Sequence, residues 1–437
     1  MFEAVTKAFT IPDIRRKLLF TLGILVVFRV IATIPVPGVN RSELREYIEG
    51  NQLLGMLNLF SGSGLTNFSI VALGVYPYIT ASIIMQLMTP VIPRLNELSN
   101  EGQQGRNVIN KYTHYLTVPL AFLQGYGQAL LFSRTSVGGV PLLEDFGIFD
   151  RDTAVQSVAL LFTMTAGTIL LVWMGELITE YGIGNGISII IFGGIIASLP
   201  SAIGGLLTGG TLSENIIGSV FFVALALLTI VAIVFVNEGQ RRIPVHYAKR
   251  IRGGRQYGGN TTFIPLKVNS AGMIPLIFAV SIMVMPGLIA NFLASSNRDW
   301  VRELGGDLQR IFSPTNLLYQ AVYFLLVVAF TYFYTMVIFY QQKIPDNLQR
   351  QGAFVPGVRP GKATSEYLQR VIQRITLVGA LFLGGVAIMP YIASEITGIQ
   401  NLLISATSIL IVVGVAVDTM RQLEAQLVMR NYEGFIG

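Results

Sequence analysis

Seven lysines and arginines crowd the stretch from Asn237 to Asn269 against one acidic residue, Glu238. Their chemistry is anion binding, and a cationic run longer than an ordinary connection suits docking to something large and anionic or acidic. The plainer reading is retention of positive charge on one side of a membrane. Groups able to make or break bonds are scarce. The absence of cysteine excludes thiol catalysis, thiolate metal sites and disulfides, and the only two histidines, His114 and His246, are expected in loops. Nothing resembles a catalytic triad or a metal cluster. The glycine-rich run from Gly253 to Gly259 lacks the lysine and the flanking strand and helix of a phosphate loop, and reads as a hairpin tip. The sequence predicts no catalytic residue, no metal and no cofactor.

The elements that carry these cations are membrane helices. A chain of 437 residues that is 52% hydrophobic and only 12% charged cannot be a water-soluble globule. A hydrocarbon core about 30 Å thick needs roughly 17 to 25 apolar residues per helix. Ten stretches qualify: Leu18 to Ile34, Val75 to Val91, Tyr115 to Phe132, Ala154 to Trp173, Ile183 to Leu199, Ile216 to Val236, Ala271 to Leu293, Leu317 to Tyr340, Thr376 to Ile392 and Leu402 to Val417. The second and third are weakly apolar. Arg15, Arg16 and Lys17 give the first stretch the look of a signal peptide, but no small-residue cleavage site follows and it reads as a retained anchor.

Basic residues set the orientation. With the amino terminus in the cytosol, the inner segments hold 22 lysines and arginines and the outer loops seven, which predicts a multi-pass protein with both termini cytosolic. Ten spans fall into five before about Thr211 and five after it. Because five is odd, the half 211–437 enters from the opposite side to the half 1–210, so any repeat is inverted, with a working site at the interface. That architecture suits channels and transporters alike. Intramembrane carboxylates and histidines, the marks of a pump or small-solute carrier, are essentially missing from the ten stretches. Arg29 is the exception, and snorkelling or a bundle-facing structural role is expected for it.

Leu59 to Gly74, LFSGSGLTNFSIVALG, is too short and polar to span but apolar enough to fold back into a cavity, so a re-entrant element is expected; an interfacial amphipathic helix is the competing reading. The next span is softened by Pro77 and Pro90 and spotted with Thr80, Ser82 and Gln86. In the matching place of the second half, Asn269, Ser270, Gly272 and Pro275 begin another breakable helix, and the two together make a plausible gate.

The segments ALGVYPYITASIIMQL, YGIGNGISIIIF, KVNSAGMIP and GAFVPGVRPG, in this order and at these separations, resemble the SecY family, the central subunits of bacterial protein translocons. The resemblance covers essentially the whole chain. It implies an all-α polytopic protein of ten transmembrane helices, two inverted five-helix halves around an hourglass pore, with a lateral gate and a plug. The implied function is a protein-conducting channel that passes unfolded secretory polypeptides across the cytoplasmic (inner) membrane and releases hydrophobic segments sideways into lipid. No bond chemistry is implied.

By the same resemblance the pore ring falls on Val75, Ile79, Ile187, Ile191, Ile277 and Ile411, with Val75 departing from the more usual isoleucine. An aliphatic ring cannot coordinate ions; it closes by dewetting and yields to a chain of any sequence. The plug falls on about Ser61 to Gly74, with Ser61, Gly62, Gly64, Leu65, Phe68 and Ile70 as its named members, and the gate contacts on Thr80, Gln86 and Asn269. Arg241, Arg242, Lys249, Arg250, Arg252 and Arg255 become candidates for phosphates of ribosomal RNA, and Arg359 matches the arginine that engages the ribosome or the motor. The implied partners are a SecA-type ATPase or the ribosome as energy source, the small subunits SecE and SecG, signal sequences, nascent chains and membrane lipids. A ten-helix inverted-repeat secondary transporter is the alternative, and a membrane scaffold the third reading.

Overall fold

The computed structural model describes residues 11–433 apart from 38, 40, 138–139, 144–145, 148–152, 209–215, 248–249, 253–254, 258–260, 295–297 and 398–401. A helix lies on each of the ten apolar stretches. In chain order the elements are α1 (Pro12–Thr33), α2 (Arg41–Gly50), α3 (Gln52–Phe60), α4 (Tyr76–Met88), α5 (Pro93–Asn100), α6 (Gln103–Arg134), β1 (Ser136–Val137), β2 (Val140–Pro141), α7 (Ala154–Tyr181), α8 (Gly186–Thr208) and α9 (Ile216–Glu238). They continue with β3 (Gln240–Tyr247), β4 (Arg250–Arg252), β5 (Arg255–Tyr257), β6 (Thr261–Lys267), α10 (Ile274–Ala294), α11 (Asp299–Ile311), α12 (Leu317–Gln342), α13 (Ile344–Arg350), β7 (Ala353–Phe354), α14 (Lys362–Thr397) and α15 (Leu402–Glu433). Among the described residues, four helical stretches are long and apolar enough to cross a bilayer: Ala154–Tyr181, Ile274–Ala294, Leu317–Arg350 and Lys362–Ala393.

Helix α1 shows how the sequence sorts its faces. Pro12 occupies the first helical turn, where no N–H is needed, and Asp13 complements the dipole. Ile14, Thr21, Phe28 and Ala32 turn inward and are buried, whereas Leu19, Leu22, Val26 and Val30 are between 52% and 64% exposed. A bare stripe of leucine and valine is stable only where the solvent is itself apolar. Helix α6 reads weakly in sequence because its polar start, Gln103 to Lys111, continues without a break into the apolar part. That continuity places His114 on a helix rather than in a loop, and His246 lies in β3.

The chain forms two compact units, Met1–Ala226 with Val280–Gln320 and Pro390–Gly437, and Leu227–Ala279 with Ala321–Met389. In the first, α4 packs on α6, α6 on α7, α7 on α8, and α8 on α3 and α15. Glycine allows the closest approach: a Cβ on Gly186 would lie 1.7 Å from the Gly175 carbonyl oxygen. Ile14, Ile183, Leu423 and Leu427 tie the start of α1 to the last turns of α15.

In the second unit the cationic stretch is not a featureless loop. Strand β3 pairs antiparallel with β6 from Gln240↔Lys267 to His246↔Thr261, and its end pairs with β7 through His246↔Phe354 and Tyr247↔Ala353. The sheet, ordered β6-β3-β7, therefore joins the two cationic connections, 237–269 and 341–374. Ile243, Val245 and Leu266 bury one face against Phe339, Leu348, Leu368 and Ile372. A second hairpin, β4–β5, closes through Arg252↔Arg255.

Substituting Gly186→Ala should lower the stability of the detergent-purified protein by about 1–3 kcal/mol through overpacking against Gly175. Gly23→Ala, whose Cβ would meet nothing within 4 Å, should hold or slightly raise the thermal midpoint, since alanine favours the helix by up to about 1 kcal/mol. Equal midpoints for both variants would contradict the helix contact.

Candidate functional site

Residues 61–74 form neither helix nor sheet, yet Ser61, Leu65, Phe68, Ser69 and Val71 are fully buried. Their polar groups are satisfied by short-range turns and by neighbours. Leu65 N and Thr66 N donate to Ser61 Oγ and Asn58 Oδ1, each at 3.0 Å. Val36 N donates to Phe68 O at 2.9 Å and Ile70 N to Ile34 O at 3.2 Å, so the strand-like residues after α1 hold the far end of the segment. Arg29 Nη1 donates to Gly62 O at 2.8 Å and Asn67 Nδ2 to Ala32 O at 3.3 Å. Arg29 thus faces inward onto a backbone carbonyl. Left-handed backbone is concentrated here, at Gly62, Ser63, Phe68 and Gly74.

Notches in the surrounding helices receive the segment. A Cβ on Gly167 of α7 would lie 2.1 Å from Ile70 O, and one on Gly194 of α8 would lie 2.4 Å from Gly62 Cα. Phe68 meets Phe132 of α6 edge-on at 5.7 Å between ring centroids. Gly64, the remaining named member, has its Cα hydrogens against Ser69 Oγ and has no room for a side chain.

The six aliphatic candidates are placed as follows. Val75 is the N-cap of α4 and Ile79 lies one turn on; Ile187 and Ile191 are on α8, Ile277 on α10 and Ile411 on α15. Val75, Ile79, Ile191, Ile277 and Ile411 are at most 5% exposed. Ile187 is half-buried, and its Cδ1 fills the space beside Gly175 of α7. Ile277 belongs to the second compact unit and the other five to the first. Gly194, three residues after Ile191 on α8, touches Gly62, and Val75 follows Gly74 directly at the end of the irregular segment.

Thr80, Gln86 and Asn269 do not meet one another through any hydrogen bond the structure contains. Thr80 Oγ1 donates to Tyr76 O at 3.0 Å and accepts from Gln124 Nε2 of α6 at 3.4 Å. Gln86 Nε2 donates to Ser82 Oγ at 3.2 Å within α4. Asn269 Nδ2 donates to Asn237 Oδ1 at 2.7 Å and to Gly272 O at 3.2 Å, clamping the two ends of the cationic connection together. The bond that joins α4 to α10 is one the sequence did not single out: Tyr76 Oη donates to Ser281 O at 3.0 Å, with both residues buried. A tyrosine inside a span was the only available signal, because a buried phenol needs an acceptor. Gln86 Oε1 and Gln124 Oε1 are buried without partners, so this polar seam is only half satisfied.

Arg241 and Arg242 are exposed at the start of β3, Arg250 and Arg252 lie in β4 and Arg255 in β5; Lys249 lies outside the described residues. Arg359 is exposed on a turn flanked by Gly357 and Gly361, both at positive φ. The turn is rooted by Val355 in the core, by Val358 N donating to Val355 O, and by Thr364 Oγ1 donating to Arg359 O at 2.8 Å. His114 Nε2 of α6 lies 2.7 Å from Glu176 Oε1 of α7, with the Tyr78 ring tilted beside the imidazole. Among the described residues no three histidines, aspartates or glutamates gather to hold a metal.

A family model described as SecY matches residues 69–420. A relative described as protein translocase subunit SecY, from Streptomyces galbus, is 47% identical, with both chains covered completely. Two solved structures share the fold at 19% identity. One is described as the SecY plug domain that stabilises the closed translocation channel and maintains a membrane seal, with a TM-score of 0.61 over 95% of this chain and 92% of that one. The other is Sec61 in the canine ribosome-channel complex, with a TM-score of 0.56 over 95% of this chain and 93% of that one.

Removing the phenol with Tyr76→Phe should loosen α4 from α10. Interhelical hydrogen bonds in membranes average about 0.6 kcal/mol, so the separated population should rise about threefold. Spin labels on cysteines introduced at Ile84 and Ile289, in a chain with no native cysteine, should report a growing longer-distance component. An unchanged distance distribution would show that the bond does not hold the seam.

Proposed function

This chain belongs to the SecY family and is a protein-conducting translocation channel of the membrane; from that premise we propose how its residues divide the work. Residues 61–74 act as the plug that covers the pore at rest, and Val75, Ile79, Ile187, Ile191, Ile277 and Ile411 form the constriction. The carrying observation is the character of these positions. An irregular, left-handed segment is held by a few hydrogen bonds directly beside aliphatic side chains that offer nothing to an ion. Such a constriction seals by dewetting and gives way to any polypeptide.

Ten membrane passes, arranged as halves 1–210 and 211–437 with both termini in the cytosol, account for the excess of basic residues in alternate connections. The seam between α4 and α10 is the lateral gate. Tyr76–Ser281 is the hydrogen bond that crosses it, while Thr80 is held to Gln124 of α6 and Gln86 to Ser82 of α4, on the α4 side of the seam. Asn269 works at the base of α10, where it fixes the cationic connection to the helix start. A signal helix with ten leucines gains roughly 3–6 kcal/mol on entering lipid, more than a few bonds of about 0.6 kcal/mol can oppose. The gate therefore sorts segments by hydrophobicity without recognising sequence.

The channel supplies no energy, so an external driver pushes the chain: a SecA-type ATPase or an elongating ribosome. Arg359, on its rooted turn, and the cations of β3 to β5 form the docking face, with Lys249 belonging to the same cationic run. SecE and SecG complete the assembly in the cytoplasmic membrane. The Sec61 neighbour seen in a ribosome-channel complex supports the ribosome as one partner of this face.

Two measurements test the reading. A secretory chain stalled in transit should crosslink to single cysteines at Ile79, Ile277 and Ile411 only when it carries a signal sequence. Adducts confined to the cationic face would overturn the pore assignment. Arg359→Glu should stop motor- or ribosome-driven transport while leaving the thermal midpoint unchanged; undiminished transport would remove Arg359 from the docking face.

A further inference from the structure

Arg29 is the only charged residue of α1 beyond Lys17, and a guanidinium in an otherwise apolar helix needs a partner. It has one: Nη1 donates to the carbonyl oxygen of Gly62 at 2.8 Å. Gly62 adopts φ +61°, and Ser63 follows at φ +67°. This left-handed pair leaves the Gly62 carbonyl facing α1. A side chain at position 62 has nowhere to go, since a Cβ there would lie 2.5 Å from Phe28 Cζ and 2.9 Å from Gly194 Cα. Phe28, fully buried and adjacent to Arg29, forms the floor under the turn.

We propose that Arg29 is the latch of the resting plug, a positioning residue that grips the segment by a backbone carbonyl and lets go when the segment leaves. The proposal rests on the plug reading of residues 61–74 and adds to it the point at which closure is set. Gripping a carbonyl makes the latch indifferent to most of the plug's side chains. At the gripped position itself glycine is required, because Phe28 and Gly194 close around it. The bond is charge-assisted, strong enough to bias a two-state equilibrium about ten- to a hundredfold yet single and therefore reversible. Once the segment swings away, water in the opened channel replaces the carbonyl, and the guanidinium remains solvated while the chain passes.

The test is resting ion conductance of the assembled translocon in planar bilayers, for the wild type, Arg29→Met, Arg29→Lys and a deletion of Gly62 to Phe68, singly and combined. Arg29→Met should raise resting conductance about tenfold, and Arg29→Lys, which keeps the charge but has a shorter reach, should raise it less. In the deletion background, Arg29→Met should add nothing, because the partner is gone. Signal-dependent transport by each variant shows that it is folded. A leaking deletion beside a tight Arg29→Met channel would overturn the latch and leave the plug standing. An equal rise in both backgrounds would also overturn it, by making Arg29 a support of the pore wall. A deletion that does not leak would remove the plug reading and the latch with it.

Discussion

Between Ser61 and Gly74 the backbone is buried without a helix or a ladder to bond it, and a buried amide or carbonyl left alone costs several kcal/mol in an apolar setting. Every donor and acceptor must therefore be met by a turn, a side chain or a neighbouring strand end. Asn58 of α3, Ser61 and Arg29 serve the first half, while Ile34 and Val36 just after α1 serve the far end. The helices then have to come close enough to exclude water, which is why glycine occupies Gly167 and Gly194 where α7 and α8 meet the segment. Leu65, Phe68 and Val71 fill the remaining space with fully buried side chains.

The α4–α10 seam follows a related economy. Its principal bond runs from Tyr76 to a helical carbonyl at Ser281, and the amides near it keep unused acceptors at Gln86 and Gln124. A seam sealed by leucine would compete poorly against opening to lipid, because lipid tails are as apolar as leucine and parting would be nearly neutral. A seam sealed by a saturated polar network would hold too firmly. A single interhelical bond of about 0.6 kcal/mol ties α4 to α10 without locking them.

Much of this was legible in the sequence because membrane helices announce themselves by length and composition: all ten apolar stretches carry helices, including the weak third, and four multi-residue segments pointed to the family. The cationic connection was less legible. Its strands alternate as Ile243 and Val245 between polar neighbours, but prolines at 244 and 265 and the density of arginine mask the pattern. His114 was misplaced because the polar start of α6 looks like a loop although the helix runs through it. The partner of Tyr76 lies 205 residues away, and no local rule of spacing points to a carbonyl on another helix. Arg29 could be seen as anomalous but not assigned a partner, since its acceptor is main chain and carries no residue signature.

The root of the β3–β6 sheet is short and closely bonded. Strand β3 leaves α9 after a single glycine, and β6 returns to α10 within a few residues. At that root Val268 N donates to Gly239 O at 2.9 Å and the buried amides of Asn237 and Asn269 bond at 2.7 Å. Gly379 of α14 packs directly on Val268 O. The pairing of β3 with β7 makes the Arg359 turn part of the same body, through the core shared by Val245, Val355 and Leu368. Two cationic surfaces far apart in sequence therefore move together, and the short, bonded root leaves little slack before the start of α10 must follow. A flexible loop of the same charge would bind an anionic partner as well, but it would dissipate displacement in its own bending.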